Sequence, residues 1–364
     1  MKIVKIGEPR IIIEAPHEKY NNFGFPTLAR LQNGKLAVVA SGFRRRLMCP
    51  FGKVVISYSS DEGHTYTPPT VVLDTPLDNP CPGIATFGKS GVIITTFSHS
   101  VAASRSWARD DCELDYLGSI SPEEEKRYLG GNFIISQDFG ESFGEIQISP
   151  ISSPHGPVEL SDGTLLWVGW KYDCFDGPTT AETKDAICAY KIFPDGRCEY
   201  LGAVDELIED GYPLILCEPH TIELDGGRLI THLRTQSKRP PAMFTISQCE
   251  SVDSGRTWST PRKLMRRMGG SPPHLLKHSS GALICTYGCR DIPYGVKVMI
   301  SLDSGETWEL DHEIYISEHD SSMGYPASIE RSDGSILTVF YSKAERGGPS
   351  VIMQQVWQLE KDSM

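Results

Sequence analysis

Glu218, His220 and Arg234 bracket two short apolar segments, Thr221–Leu224 and Leu229–Leu233, joined by Asp225-Gly226-Gly227. Asp-Gly and Gly-Gly close β-hairpins, because the turns that match strand twist need φ > 0. A hairpin brings its open ends to one side, so this carboxylate, imidazole and guanidinium are expected to meet. Other titratable or donating groups hold comparable places. His155, His274 and Tyr325 stand beside prolines just ahead of apolar segments. Arg44, Arg45, Arg46, His99, Lys171 and Arg290 follow apolar segments, as Arg234 does. Carboxylates and imidazoles are acid–base groups, and a guanidinium grips a carboxylate through two parallel hydrogen bonds.

The elements that position these groups repeat along the chain. The hairpin signature recurs at Leu31–Leu36, loosely at Phe87–Val92, and at Leu160–Leu165, Leu224–Leu229, Leu276–Leu283 and Arg331–Ile336. The copies are spaced by about fifty to about seventy residues, a period that signals a repeat architecture. A second pattern, S-x-D-x-G-x-[ST]-aromatic, follows most copies, at Ser59–Tyr66, Ser136–Phe143, Ser251–Trp258 and Ser301–Trp308. It reads as a self-capped turn, in which the Asp accepts backbone N–H bonds and the Gly turns left-handed. The third copy carries only Phe193–Arg197 there.

Each repeat thus reads as four antiparallel strands, and six repeats predict an all-β, six-bladed β-propeller. Residues 1–364 are expected to form this one domain. The last repeat runs out after Val351–Leu359, and Ile3–Ile6 or Arg10–Ile13 is expected to close the ring as its outer strand. Two insertions, 99–131 and 171–188, read as lids or binding walls. Helix signals are confined to Ser121–Arg127, with Pro122 at N1 and early acids. In a propeller the innermost strands line the axis. The residues ahead of them then converge at one mouth: Phe23–Pro26, Asn79–Pro82, Pro154–Pro157, Glu218–His220, Pro272–His274 and Gly324–Pro326.

The bulk numbers exclude several classes. A net charge of -12 argues against nucleic-acid binding. No segment approaches the ~20 apolar residues of a membrane span, and residues 1–14 lack the apolar core of a signal peptide. The ten cysteines show no C-x-x-C pair, so reduced thiols and a cytoplasmic location are expected. No cofactor or metal motif is present, and three histidines on separate repeats lack zinc-ligand spacing.

The self-capped turn is the Asp box, or BNR repeat, and four of them on a six-blade pattern resemble the sialidase (neuraminidase) superfamily over nearly the whole chain. The box lies on the blade rim, so Asp61, Asp138, Asp253 and Asp303 read as structural. The resemblance implies a Tyr nucleophile polarised by a Glu, a carboxylic acid as proton donor, and three arginines for the substrate carboxylate. Tyr325 resembles the nucleophile and Glu218 its base. Arg234 and Arg290 look like two of the three arginines. A phenol ordinarily loses its proton only at about pH 10, so it needs such a neighbouring base.

Two parts of the family pattern are missing. The expected F-R-I-P opening is Phe23-Gly24-Phe25-Pro26, and the loop Gly42–Gly52 holds no carboxylate for the acid/base role. Arg44, Arg45 or Arg46 would restore the cationic clamp, and His155 or His274 would supply the proton, with His220 and His99 as further ligand contacts. Plainer readings stand beside these: Glu218 with Arg234 as a structural ion pair, Tyr325 as an axial plug, and hydrogen-bonded structural histidines. The implied function is a sialidase-like glycoside hydrolase acting on an acidic sugar. A uronate lyase using His or Tyr, and a propeller that binds carbohydrate without turnover, are the alternatives.

Overall fold

Short apolar runs broken by Gly-containing turns fold into six antiparallel sheets arranged as a ring. The computed structural model describes residues 1–171, 186–237, 243–265, 270, 272–317 and 321–360. Residues 172–185, most of the second predicted insertion and Cys174 with it, lie outside the described residues. Blade one comprises Asn22–Arg30, Leu36–Arg44, Lys53–Ser59 and Thr70–Leu73. Blade two comprises Gly83–Phe87, Gly91–Ser98, Gly130–Ser136 and Gln147–Ser149. Blade three has its inner strand in two pieces, Ile151–Ser152 and Val158–Glu159, followed by Leu165–Lys171, Ile187–Ile192 and Cys198–Ala203. Blade four is Ile215–Glu223, Leu229–Ser237, Met243–Ser251 and Arg262–Lys263; blade five is His274–Lys277, Leu283–Cys289, Gly295–Ser301 and Glu309–Ile316.

Blade six joins the two ends of the chain. Gly324–Glu330, Ile336–Lys343 and Ser350–Glu360 are completed by Lys2–Ile13, which pairs from Lys2↔Glu360 to Ile13↔Ile352. Both amino-terminal candidates therefore lie in one strand, with a bulge between Ile6 and Arg10.

Strand periodicity explains where the apolar core sits. Successive side chains face opposite sides of a sheet. Leu36, Val38 and Ala40 pack toward blade six, while Ala37 and Val39 pack toward blade two. The same division recurs around the ring, and each of the six apolar clusters lies between two adjacent blades. The apolar surface is used up between blades, which leaves the axis free for polar groups.

The four Asp/Gly turns close third strands to fourth strands, on the face opposite the mouth. At Asp61 the carboxylate accepts from Thr65 N at 2.8 Å and Thr65 Oγ1 at 2.6 Å, while Gly63 takes φ 85°. Asp138, Asp253 and Asp303 repeat the arrangement, and hydrogen bonds from the neighbouring hydroxyls and amides lower each carboxyl to about 2.

The insertion after blade two's second strand corrects the expectation of one helix. It holds three: α1 (Val101–Trp107), α2 (Asp111–Ser119) and α3 (Pro122–Tyr128). The α3 start has the expected form, with Ser121 and Glu124 making a capping box. The other two are short, and their legible signals are single caps, Ser100 and Asp110.

Candidate active site at the axis

One backbone device sets the mouth. Phe25, Cys81, Gly156, Glu218 and Tyr325 each precede a proline at the start of an inner strand. All five have positive φ, at 57°, 50°, 76°, 49° and 53°. Four are not glycine, and a left-handed conformation at such a residue costs about 1–3 kcal/mol, which surrounding structure must offset. The ladder slips at this point in blades one, four and six, between Gly24 and Thr27, Cys217 and His220, and Gly324 and Ala327. The bulged residues leave the ladder and turn their side chains toward one another across the ring. Blade five opens on Pro272-Pro273, whose fixed negative φ forbids the device.

The chemistry gathers on two of these residues. Tyr325 Oη donates a short hydrogen bond to Glu218 Oε1. Arg234 Nη1 donates to the other carboxylate oxygen, Glu218 Oε2, at 2.7 Å. Glu218 and Arg234 are only 18% and 15% exposed, so water weakens this pair little. Burial by itself would lower the Arg234 guanidinium, but the Glu218 carboxylate outweighs it and keeps the charge. Arg234 Nε is buried without a partner. Burial holds the Tyr325 phenol well above its usual value, Cys81 and Glu218 add to this, and Arg234 and Arg290 oppose it.

Arg290 lies beside Tyr341, whose ring centroid is 6.1 Å from that of Tyr325. Its Nη2 donates to Tyr341 Oη at 3.0 Å and its Nε to Met323 O at 3.2 Å. Among the described residues no carboxylate pairs with it. Phe25 meets Tyr325 edge-on at 4.8 Å and Tyr341 at 5.5 Å. A cavity of about 120 Å3 opens beside Glu218 and Arg234, bounded also by Cys81, Phe97, Trp170 and Gln236. Cys81 and Cys217 edge this cavity as thiols; burial raises both, Cys217 to about 12.

At Gly24, where the resemblance places the first arginine, an added side chain meets Leu47. A Cβ there would lie 2.5 Å from Leu47 Cδ2 and 3.9 Å from Tyr341. Leu47, from the loop after blade one's second strand, occupies the space.

The three blade-one arginines do not replace that clamp, which corrects the expectation for Arg44, Arg45 and Arg46. Arg44 is fully buried and holds Asp78 with two bonds of 2.8 Å, plus Ser41 Oγ and Leu47 O. Arg45 pairs with Asp110 at 2.5 Å, and Arg46 grips Glu113 with both nitrogens. Asp110 and Glu113 come from the helical insertion, so these arginines dock that insertion onto blade one.

His155 and His274 are likewise corrected as proton donors. His155, His220 and His274 cluster on the axis, with ring centroids 4.2 to 5.1 Å apart. Each ties its blade to another: His220 Nδ1 accepts from Leu275 N at 2.8 Å, and His274 Nδ1 from Ser328 N at 3.3 Å. Thr27 Oγ1 donates to Pro154 O and accepts from His155 Nδ1 at 3.2 Å. Burial pushes His155 and His274 well below the imidazole range and His220 to about 3, which disfavours the charged form of each. They are blade-to-blade fasteners. His99 packs edge-on between Phe97 and Trp107, at the base of α1, and is not among the residues bounding the cavity. Lys171 ends its strand at the border of the described residues.

The structure thus joins Glu218, Arg234, Tyr325 and Arg290, and adds Cys81, Tyr341 and Phe25. Cys81 and Phe25 carry the X-Pro signal that Glu218 and Tyr325 carry. Tyr341 has no such mark.

No protein-family model and no curated protein matches the sequence. Solved structures do match in fold. A Dyadobacter fermentans protein of unknown function aligns at 17% identity and TM-score 0.75, over 98% of this chain and 99% of that one. The NanB sialidase of Streptococcus pneumoniae aligns at 14% identity and TM-score 0.68, over 97% and 70%. The intramolecular trans-sialidase of Ruminococcus gnavus, solved with oseltamivir carboxylate, aligns at 15% identity and TM-score 0.65, over 96% and 97%. At these identities the likeness establishes the fold, a six-bladed sialidase-like propeller.

Proposed function

We propose that this chain is a glycoside hydrolase that acts on a carboxylate-bearing sugar through a Tyr/Glu couple. The observation that carries it is the phenol of Tyr325 donating to Glu218, whose second oxygen Arg234 holds. Glu218 Oε1 accepts the phenol proton as Tyr325 Oη bonds to the anomeric carbon and the glycosidic C–O bond breaks. Water then attacks the same carbon as the bond to Tyr325 breaks; Glu218 returns its proton to the phenolate, and the proton lost by the water passes to solvent, balancing the departed leaving-group anion. Arg290, with no carboxylate partner among the described residues, suits the sugar carboxylate.

Of the groups the sequence offered as acid, the loop Gly42–Gly52 lacks a carboxylate, and burial disfavours the charged form of His155 and His274. A leaving group that departs as a stable anion makes the test independent of the source of the proton. The test uses 4-methylumbelliferyl glycosides of sialic acid and glucuronic acid, whose aryl group departs without an acid. Release by the native protein, lost in Tyr325→Phe and in Glu218→Gln, supports the reading. Full turnover in both variants would overturn it.

A second reading is carbohydrate binding without turnover. The small cavity favours it, because ligand sites usually span about 300–1,000 Å3. It requires saturable binding of an acidic sugar with no product after prolonged incubation.

A further inference from the structure

A larger cleft lies on the same face, beside the axis. Its volume is about 800 Å3, and its walls come from the segment before blade one, the Phe43–Lys53 loop, the crossing to blade two, and α2. All four segments leave or enter strands at the mouth end. We propose that this cleft is a saccharide subsite that stacks neutral sugar rings against Tyr20, Phe51 and Tyr116.

Three observations carry this. First, the aromatic rings form a ladder. Tyr20 stacks on Phe51 at 5.1 Å with planes 14° apart, and Phe51 meets Tyr116 at 4.9 Å. None of the three is buried, and Tyr20 carries over its ring the exposed Lys19 ammonium, which a sugar ring displaces. The negative face of an aromatic ring attracts the C–H face of a pyranose. Second, Phe43 holds φ 51°, a strained conformation for a bulky residue, and sits between Phe23 of the core and the cleft. Such strain persists where surrounding structure enforces it, and clusters at ligand sites. Third, the charges leave no cationic surplus. Lys53 is bound to Asp74 at 2.6 Å, and Glu18 and Glu124 line the cleft together with Lys19. An anionic sugar gains nothing there, while a neutral one keeps carboxylate and ammonium partners for its hydroxyls.

The same loop serves both places, with Leu47 over Gly24 at the axis and Phe43 and Phe51 in the cleft. The inference rests on the carbohydrate reading of the axis, and extends it to uncharged sugar rings beyond the terminal acidic one.

The test titrates the full chain with cellotriose, maltotriose and triacetylchitotriose, followed by saturation-transfer NMR. Saturable binding of at least one is expected, weakened about fivefold or more in Phe51→Ala and in Tyr20→Ala, since fivefold corresponds to about 1 kcal/mol, the contribution of one stacked ring. Tyr20 lies on a loop outside the core, so its variant remains folded if Phe51→Ala does not. Excess free sialic acid, which would occupy the axis, is expected to leave this binding unchanged. Absence of binding for all three probes overturns the subsite, as does binding unchanged in Tyr20→Ala. Binding abolished by excess sialic acid but kept in the aromatic variants also overturns it, by moving the sugar to the axis. Cleft binding without glycoside turnover would sink the hydrolase reading alone.

Discussion

Glu218 and Tyr325 lie 107 residues apart in the chain and share one hydrogen bond at the axis. They occupy the same left-handed, pre-proline position of blades four and six, at φ 49° and 53°. One backbone device, used twice, thus makes a carboxylate meet a phenol.

The two partners of Glu218 are unequal. Arg234→Met leaves a half-sequestered carboxylate without its cation and is expected to cost roughly 3 kcal/mol. Tyr325→Phe removes one hydrogen bond while the ion pair remains, at about 1–2 kcal/mol. Urea denaturation of the two variants measures the order. Equal losses would mean that the ion pair contributes nothing special.

Arg290 is expected to behave differently. It has no carboxylate to strand among the described residues, so Arg290→Met should leave thermal stability within about 1 kcal/mol of native. On a 4-methylumbelliferyl glycoside it should raise KM about tenfold or more, because a charge-assisted bond to the substrate carboxylate is lost. An unchanged KM removes Arg290 from the binding site.

Glycine substitutions separate two kinds of crowding at the mouth. At Gly83 an added Cβ meets the backbone of Gly156 and His155, which cannot move without shifting blade three. At Gly24 it meets the end of the Leu47 side chain, which swings aside more easily. Gly83→Ala is expected to destabilise strongly and Gly24→Ala by about 1 kcal/mol, recovered in part by Leu47→Ala. Melting temperatures of the three variants decide it.

Stability is expected to fall with pH earlier than carboxylates alone dictate. His220 and His232 are lowered to about 3 by burial. The unfolded chain protonates them near 6.5, so it binds more protons than the folded chain between about 6.5 and 3. Stability is then fullest above 6.5 and declines as pH falls toward 3. A denaturation series across this range should show the decline, and His220→Gln should flatten it.

The Asp/Gly turns add a lower window. Asp303 is lowered to about 2 by bonds from Thr307 and Ser301. A depressed carboxyl contributes stability above its unfolded value, and that contribution is lost as pH falls to about 2. Asp303→Asn should therefore melt below the native protein at pH 6, and the gap should close between about pH 4 and pH 2.

Much of the ring was legible because local rules govern it. Asp-Gly turns dictate φ, period-two alternation divides Val38 from Val39 between neighbouring blades, and the self-capping Asp/Gly turns recur with fixed spacing. The pre-proline residues were legible as a column of positions. Short helices α1 and α2 were missed, since seven or nine residues with one cap each carry little periodic signal.

The sequence by itself determined the blades, their number and the positions that face the mouth, because each depends on a few adjacent dihedral angles. Which of those positions form the candidate site was decided only by tertiary packing. Arg44 was taken by Asp78, Arg45 and Arg46 by a helical insertion, His220 and His274 by backbone amides of neighbouring blades, and His155 by the Thr27 hydroxyl. Glu218 met Tyr325 and Arg234, and Leu47 filled the space at Gly24. Ion pairing and burial depend on which distant groups come within a few ångströms, and chain order does not encode that distance.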